Sequence, residues 1–258
     1  MAVDIYTKIP NQIPRAGARP LLGHPLAPKY AWIFDSCIYE IIHGSADGSN
    51  IFYGGTGSKF SPGSFLRGYA GQTLEHTATG DGSQIAARDT DVLPTVGCSI
   101  VIAYQKTDAT LRDAVALTVD SASCGAGTCV CNVHIDYTDG HFYWQYGNIN
   151  AGSGRLVVAN SLFTYRDSIF CCTTSGGVSV PSPLGGMEIW ENGSLIANQT
   201  NSASRTNVGS PVVLGNAPSY GRAGDLAKYG FIFFYHRQLS QQEAAVITTT
   251  PFVWLRAR

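Results

Sequence analysis

The sequence predicts an all-β fold, a sandwich of two antiparallel sheets with an extended N-terminal arm and one short C-terminal helix. Three observations predict it. Gly, Asn, Ser and Pro divide the 258 residues into about a dozen short β-like runs at near-regular spacing. Asp139-Gly140 and Asn192-Gly193 sit where two-residue hairpin turns need positive φ. A helix start is written once: Ser240, then Glu243 three residues later, then the apolar Ala244, Ala245, Val246 and Ile247, which together make a capping box.

Residues 1–28 stand apart. Pro10, Pro14, Pro20, Pro25 and Pro28 are spaced too closely for a helix or a central strand. The segment reads as an extended arm, and about 20 extended residues reach roughly 60 Å. Tyr6, Arg15 and Arg19 are its candidate partner-binding side chains, because the two arginines are positive points in a sparsely charged chain. The sandwich domain then occupies 29–258. Its strands are expected at 30–33, 51–53, 65–69, 84–86, 96–105, 114–119, 130–137, 141–146, 155–159 and 167–173. A hairpin over 187–197, a strand over 211–216 and a terminal aromatic strand over 228–235 complete the body. The helix that follows is expected to clamp this last strand between the two sheets.

The end of the chain resembles the closing segment of laminin-G-like, or concanavalin A-like, jelly-roll domains. The matching residues are Gly224, Asp225 and Leu226, the strand through Tyr235, and then Arg237, Leu239, Ser240 and Glu243, with the acid and the aliphatic residue in swapped order. The strand 211–216 and the hairpin Met187 to Ala197 extend the likeness backwards. His24-Pro25-Leu26-Ala27 and Ala31-Trp32-Ile33-Phe34-Asp35 are similar to the openings of such domains in bacteriophage virion proteins. The resemblance implies a concanavalin A/laminin-G-like antiparallel β-sandwich and a place in a virion. It does not imply one activity, since this fold hosts binding, scaffolding and catalytic proteins.

Composition narrows the partners. Charged residues are 14% of the chain against roughly 25% in typical globular proteins, and the net charge is −1. Without clustered Lys and Arg, phosphate-backbone binding is disfavoured, so no nucleic-acid partner is expected. No run approaches the ~20 apolar residues that span a bilayer, so no membrane partner is expected either. Met1-Ala2-Val3-Asp4-Ile5-Tyr6 lacks the charged and apolar regions of a signal peptide. With the place in a virion that the resemblance implies, the expected location is a virion made in the host cytoplasm. Seven cysteines, at 37, 98, 124, 129, 131, 171 and 172, are expected as reduced, buried thiols. The alternative for them is a bridge from Cys124 to Cys129 or Cys131. A zinc site is disfavoured, because Cys129 and Cys131 share one strand face and His134 takes the other.

Catalytic patterns are missing where they would be needed. Retaining glycosidases hold two carboxyl groups about 5 Å apart across the sugar bond. The glutamates here are at 40, 75, 188, 191 and 243; Glu188 and Glu191 fall on opposite strand faces and Glu243 serves the cap. Asp136, Asp139 and His141 span a turn and are expected to be solvated. No catalytic residue, metal ligand or cofactor is predicted. Tyr143, Trp144 and Tyr146 are the glycan-binding candidates, because flat aromatic faces stack on sugar rings. Alternation places Tyr143 on one face with Trp144 and Tyr146 on the other, so one set belongs to the core. The expected function is a non-enzymatic virion subunit, capsid-decorating or tail-associated, held to other virion proteins and to copies of itself. The alternative is a glycan-binding module for attachment to a host surface.

Overall fold

The computed structural model of the chain describes residues 19–20, 23–33, 51–54, 59–65, 69–80, 82–86, 97–119, 130–149, 154–159, 163, 165–177, 186–200, 202–204, 212–215 and 223–256. In chain order its strands are β1 (Arg19–Pro20), β2 (Tyr30–Ile33), β3 (Ile51–Gly54), β4 (Lys59–Phe65), β5 (Tyr69–His76), β6 (Gly82–Ala86), β7 (Cys98–Lys106), β8 (Ala114–Val115), β9 (Leu117–Val119) and β10 (Val130–His134). They continue as β11 (Phe142–Gly147), β12 (Arg155–Val158), β13 (Ser168–Thr174), β14 (Met187–Glu191), β15 (Ser194–Gln199), β16 (Val212–Gly215), β17 (Ala223–Gly224) and β18 (Ala227–Tyr235). Helix α1 (Gln241–Thr249) and β19 (Leu255–Arg256) close the chain.

Two antiparallel sheets face each other. One runs β12-β11-β10-β9-β16-β6-β3, the other β15-β14-β13-β7-β18-β5-β4 with β2 added beside β18. Between them lies one core, built from the inward residues of both sheets: Leu117, Val133, Phe142, Trp144 and Tyr146 from the first, Ile100, Ile102, Phe170, Ile189, Ile232 and Phe234 from the second. Strand alternation explains the membership, since every second side chain points inward. The vicinal thiols follow it: Cys172 enters this core and Cys171 points to the other side. Both are buried thiols in no disulfide, as are Cys98 and Cys131. Cys37, Cys124 and Cys129 lie outside the described residues.

A second core covers the outer face of the second sheet, and here the structure corrects the expected role of the helix. Helix α1 does not close the space between the sheets. It packs on the outside of the second one, against β13 and β14, where Ala244 and Ile247 join one buried cluster with Val101, Cys171, Phe231 and Phe233. The reason is written in β18, whose run Phe231-Ile232-Phe233-Phe234 is apolar at every position and so needs cover on both faces. Phe231 and Phe233 stack at 4.5 Å, and Trp254 meets Phe233 edge-on at 5.3 Å. The capping box is present: Ser240 Oγ accepts from the Glu243 N–H at 3.3 Å, and Glu243 Oε2 accepts from the Ser240 N–H at 2.9 Å.

Turn chemistry was predicted correctly in one hairpin and differs in the other. Asn192 and Gly193 both have positive φ, 49° and 91°, as a two-residue turn between β14 and β15 requires. At Asp139-Gly140 only Gly140 is left-handed, at 74°, and the connection is longer: the Gly140 N–H donates to Tyr137 O and the Tyr137 N–H to His141 O. This is a three-residue loop with a left-handed glycine in its last position. The strand expected at 65–69 is not continuous: Phe65 ends β4, Tyr69 opens β5 and the two pair antiparallel, while 66–68 lie outside the described residues. The expected 114–119 strand is two pieces, β8 and β9.

Candidate functional site

Strands β9 to β12 lie side by side, and their register sets a row of polar side chains across the outer face of the first sheet. Val213 pairs with Thr118, Thr118 with Asn132, Asn132 with Gln145 and Gln145 with Arg155. Each is one residue off an inward core position, so all point away from the core. Thr118 Oγ1 donates to Asn132 Oδ1. With its amide oxygen facing Arg155, Gln145 accepts from Nε and Nη2 at 3.1 Å each; the opposite orientation sets donor against donor. Exposure rises along the row, for Thr118, Asn132 and Gln145 are buried and Arg155 is exposed.

A neighbouring row consists of His134, Tyr143 and Val157. Tyr143 is its centre. The Arg155 guanidinium lies 5.2 Å from the Tyr143 ring centroid, His141 stacks on the ring at 5.9 Å, and Tyr137 meets it edge-on at 5.5 Å. The Tyr143 hydroxyl donates to Asp139 Oδ2. Partial desolvation and that bond to a carboxylate raise the Tyr143 pKa to about 12. Burial works against the Asp139 carboxylate, yet the bonds from Tyr143 and from the His141 N–H at 3.1 Å outweigh it and hold its pKa below the usual value. Leu111, 38% exposed, approaches Gly140 at the tip of the hairpin, and Val157 is 39% exposed. The patch is thus an exposed cation, an ordered acid, aromatic rings and aliphatic surface at one sheet edge. It can donate and accept hydrogen bonds while packing against C–H groups.

The glycan candidates divide by face. Trp144 and Tyr146 are fully buried in the core, with Trp144 Nε1 donating to Thr173 O at 3.0 Å, so neither can stack on a ligand without dismantling the sandwich. Tyr143 alone of the three reaches the outer face, and its ring is already flanked by Arg155 and His141. Alternation made the division legible; the flanking cation was not singled out in the sequence, although an Arg at the start of an edge strand opposite an aromatic strand is its signal. Of the arm candidates, Tyr6 and Arg15 lie outside the described residues. Arg19 lies in β1, which pairs with β19 of the same chain. Nearby, Arg237 Nη2 donates to Pro25 O at 2.7 Å and Tyr235 OH to Leu26 O at 2.9 Å.

Acids considered for catalysis have structural partners. Glu188 accepts from Trp190 Nε1 at 2.9 Å and Gln241 Nε2 at 2.8 Å, while Glu191 accepts from Ser168 Oγ at 2.6 Å and meets Arg166 at 3.0 Å. Asp136 corrects an expectation, since it is fully buried and both its carboxylate oxygens accept from the Phe163 N–H at 3.0 Å. Asp225 is buried too, 3.3 Å from Lys106 Nζ. Among the described residues no group of three His, Cys, Asp or Glu is placed to hold a metal ion. Among them, no helix is long and apolar enough to cross a membrane.

No family model matches the sequence, and no curated protein matches it significantly. Solved structures do resemble the fold. The botulinum neurotoxin serotype D binding domain superposes with a TM-score of 0.59 at 10% identity, over 86% of this chain and 50% of that one. A Trypanosoma rangeli sialidase in complex with the inhibitor DANA gives 0.50 at 11% identity, over 74% of this chain and 29% of that one. The Ruminococcus gnavus sialidase CBM40 bound to α2,3-sialyllactose gives 0.46 at 17% identity, over 59% and 83%. This chain therefore spans half the length of the toxin domain. At these identities the likeness to the toxin domain and to the Trypanosoma sialidase shows a shared β-sandwich fold.

Proposed function

We propose that this chain is a glycan-binding module whose binding surface is the outer face of β10, β11 and β12. The observation that carries the reading is the ordered cluster at that edge, where His141, Tyr143 and Arg155 stack in series beside Asp139. Sugar rings offer hydroxyl groups and axial C–H patches, and this surface supplies fixed donors and acceptors with rings and aliphatic carbon between them. Support also comes from the fold, which this chain shares with a toxin binding domain and a sialidase chain, and from acids that are engaged in internal bonds. The test is a glycan array probed with the intact chain and with Tyr143→Ala. Binding that Tyr143→Ala abolishes supports the reading; no binding to any glycan, or binding that Tyr143→Ala leaves intact, refutes it.

A virion role remains the wider setting proposed for such a module, attached to neighbouring subunits and presenting the sheet edge to a host surface. Its support is the low charge of the chain and the proline-rich first 28 residues. Co-sedimentation of the chain with purified particles tests it.

A further inference from the structure

We infer that the ligand carries a carboxylate, and that Arg155 is the residue that recognises it. The inference rests on the glycan-binding reading and names the sugar class within it, an acidic glycan containing a uronic or nonulosonic acid. Three observations converge. Arg155 is exposed at the end of a polar row, and among the described residues no carboxylate pairs with it: its contacts there are the Gln145 amide and the Tyr143 ring. Gln145 occupies the Nε and Nη2 side of the guanidinium, and no described residue takes the other edge, Nη1 with the second Nη2 proton. That edge is a pair of parallel donors matched to two carboxylate oxygens.

The third observation is that the guanidinium is held in place before any ligand arrives. Gln145 is buried, and the register seats it between Asn132 on one neighbouring strand and Arg155 on the other, so packing holds the acceptor that fixes Arg155. Below lies Tyr143, whose hydroxyl bond to Asp139 fixes the ring in turn. An ordinary surface arginine loses rotamer freedom when it binds; this one has already lost it, so a bidentate pair forms with less entropic penalty. Asp139, which shares Tyr143 with this cation, is tied to the Tyr143 hydroxyl and the His141 N–H. The carboxylate seat beside Arg155 therefore has to be filled from outside.

Sialyllactose and a hyaluronan hexasaccharide, each beside a neutral counterpart, lactose and carboxyl-reduced hyaluronan, serve as probes in titration calorimetry with the full chain. At least one acidic probe is expected to bind about tenfold or more tighter than its neutral counterpart. Arg155→Gln should erase that preference, while Arg155→Lys, which keeps the charge and loses the fork, should retain only part of it. Equal binding of acidic and neutral probes, or a preference unchanged in Arg155→Gln, overturns the inference and leaves the glycan-binding reading standing. Failure of every glycan to bind, on the array and in titration, overturns both. Arg155 is exposed on an edge strand, and the thermal unfolding of both variants is expected to match the parent, which separates lost recognition from lost fold.

Discussion

Lys106 Nζ stands 3.3 Å from Asp225 Oδ1, with both side chains excluded from solvent inside the sandwich. The pair is not alone: Tyr104 OH donates to Asp225 Oδ2 at 3.3 Å, and Lys106 Nζ donates to Asp136 O at 3.2 Å. It ties the end of β7 to the turn between β17 and β18, at the acid that stood out in the closing segment of the sequence. Removing one partner leaves a buried charge without compensation, which costs about 3–5 kcal/mol. Lys106→Met is therefore expected to lower unfolding stability by that order. The double variant Lys106→Met with Asp225→Leu should recover most of the loss in a denaturant titration, because an apolar pair needs no partner.

The same pair gives stability a pH dependence. Burial raises the Asp225 pKa from 3.8 to about 6, in part offset by Lys106. A carboxyl group that is harder to ionise when folded favours the folded state at low pH. Its contribution is complete below about pH 4 and disappears as pH rises through 6, a change of about 3 kcal/mol. Glu243 acts oppositely: hydrogen bonding to Arg237 lowers its pKa to about 2, so its contribution is present above 4.5 and lost towards 2. Urea midpoints measured from pH 4 to 7 should fall across this window, and Asp225→Asn should flatten the fall.

How much of this was legible can be judged residue by residue. Asn192-Gly193 and the Ser240 to Glu243 box were readable because their physics is local, contained within four residues. The outside placement of α1 was not read, although the run at 231–234 has no polar face and so implied cover on both sides. Asp225 was unreadable as an ion-pair member, because its partner sits far upstream and only the crossing of β7 and β18 brings them together. At the candidate site, alternation separated Tyr143 from Trp144, but which face lay outside depends on how the two sheets pack. Arg155 gained significance only through its register with Gln145.

That division of faces is testable by stability alone. Trp144→Ala removes a fully buried ring and the bond to Thr173, and should destabilise by about 3–5 kcal/mol. Tyr143→Ala removes a half-exposed side chain whose contacts are with surface groups, and should change stability far less, by about 1 kcal/mol. Thermal unfolding of the two variants side by side measures the difference. Equal losses would show that Tyr143 is a structural member of the sheet and not a surface available to a ligand.

The helix offers the last prediction. Glu243 caps α1 through Ser240 and also receives both arms of Arg237, with Nη1 to Oε2 and Nη2 to Oε1 at 2.7 Å each. Arg237 in turn holds Pro25 O, so one carboxylate organises the helix start, the loop after β18 and the chain before β2. Loss of a helix cap costs about 1 kcal/mol, and the half-exposed ion pair adds little because solvent screens it. Glu243→Ala should therefore lower stability by about 1–2 kcal/mol near neutral pH. The Ser240→Ala loss should be similar and not additive with it, since both substitutions break the same reciprocal bonds. Amide exchange should locate the effect, with protection lost at 241–244 and retained in β7 and β13, because α1 packs outside a sheet whose hydrogen bonds do not depend on it.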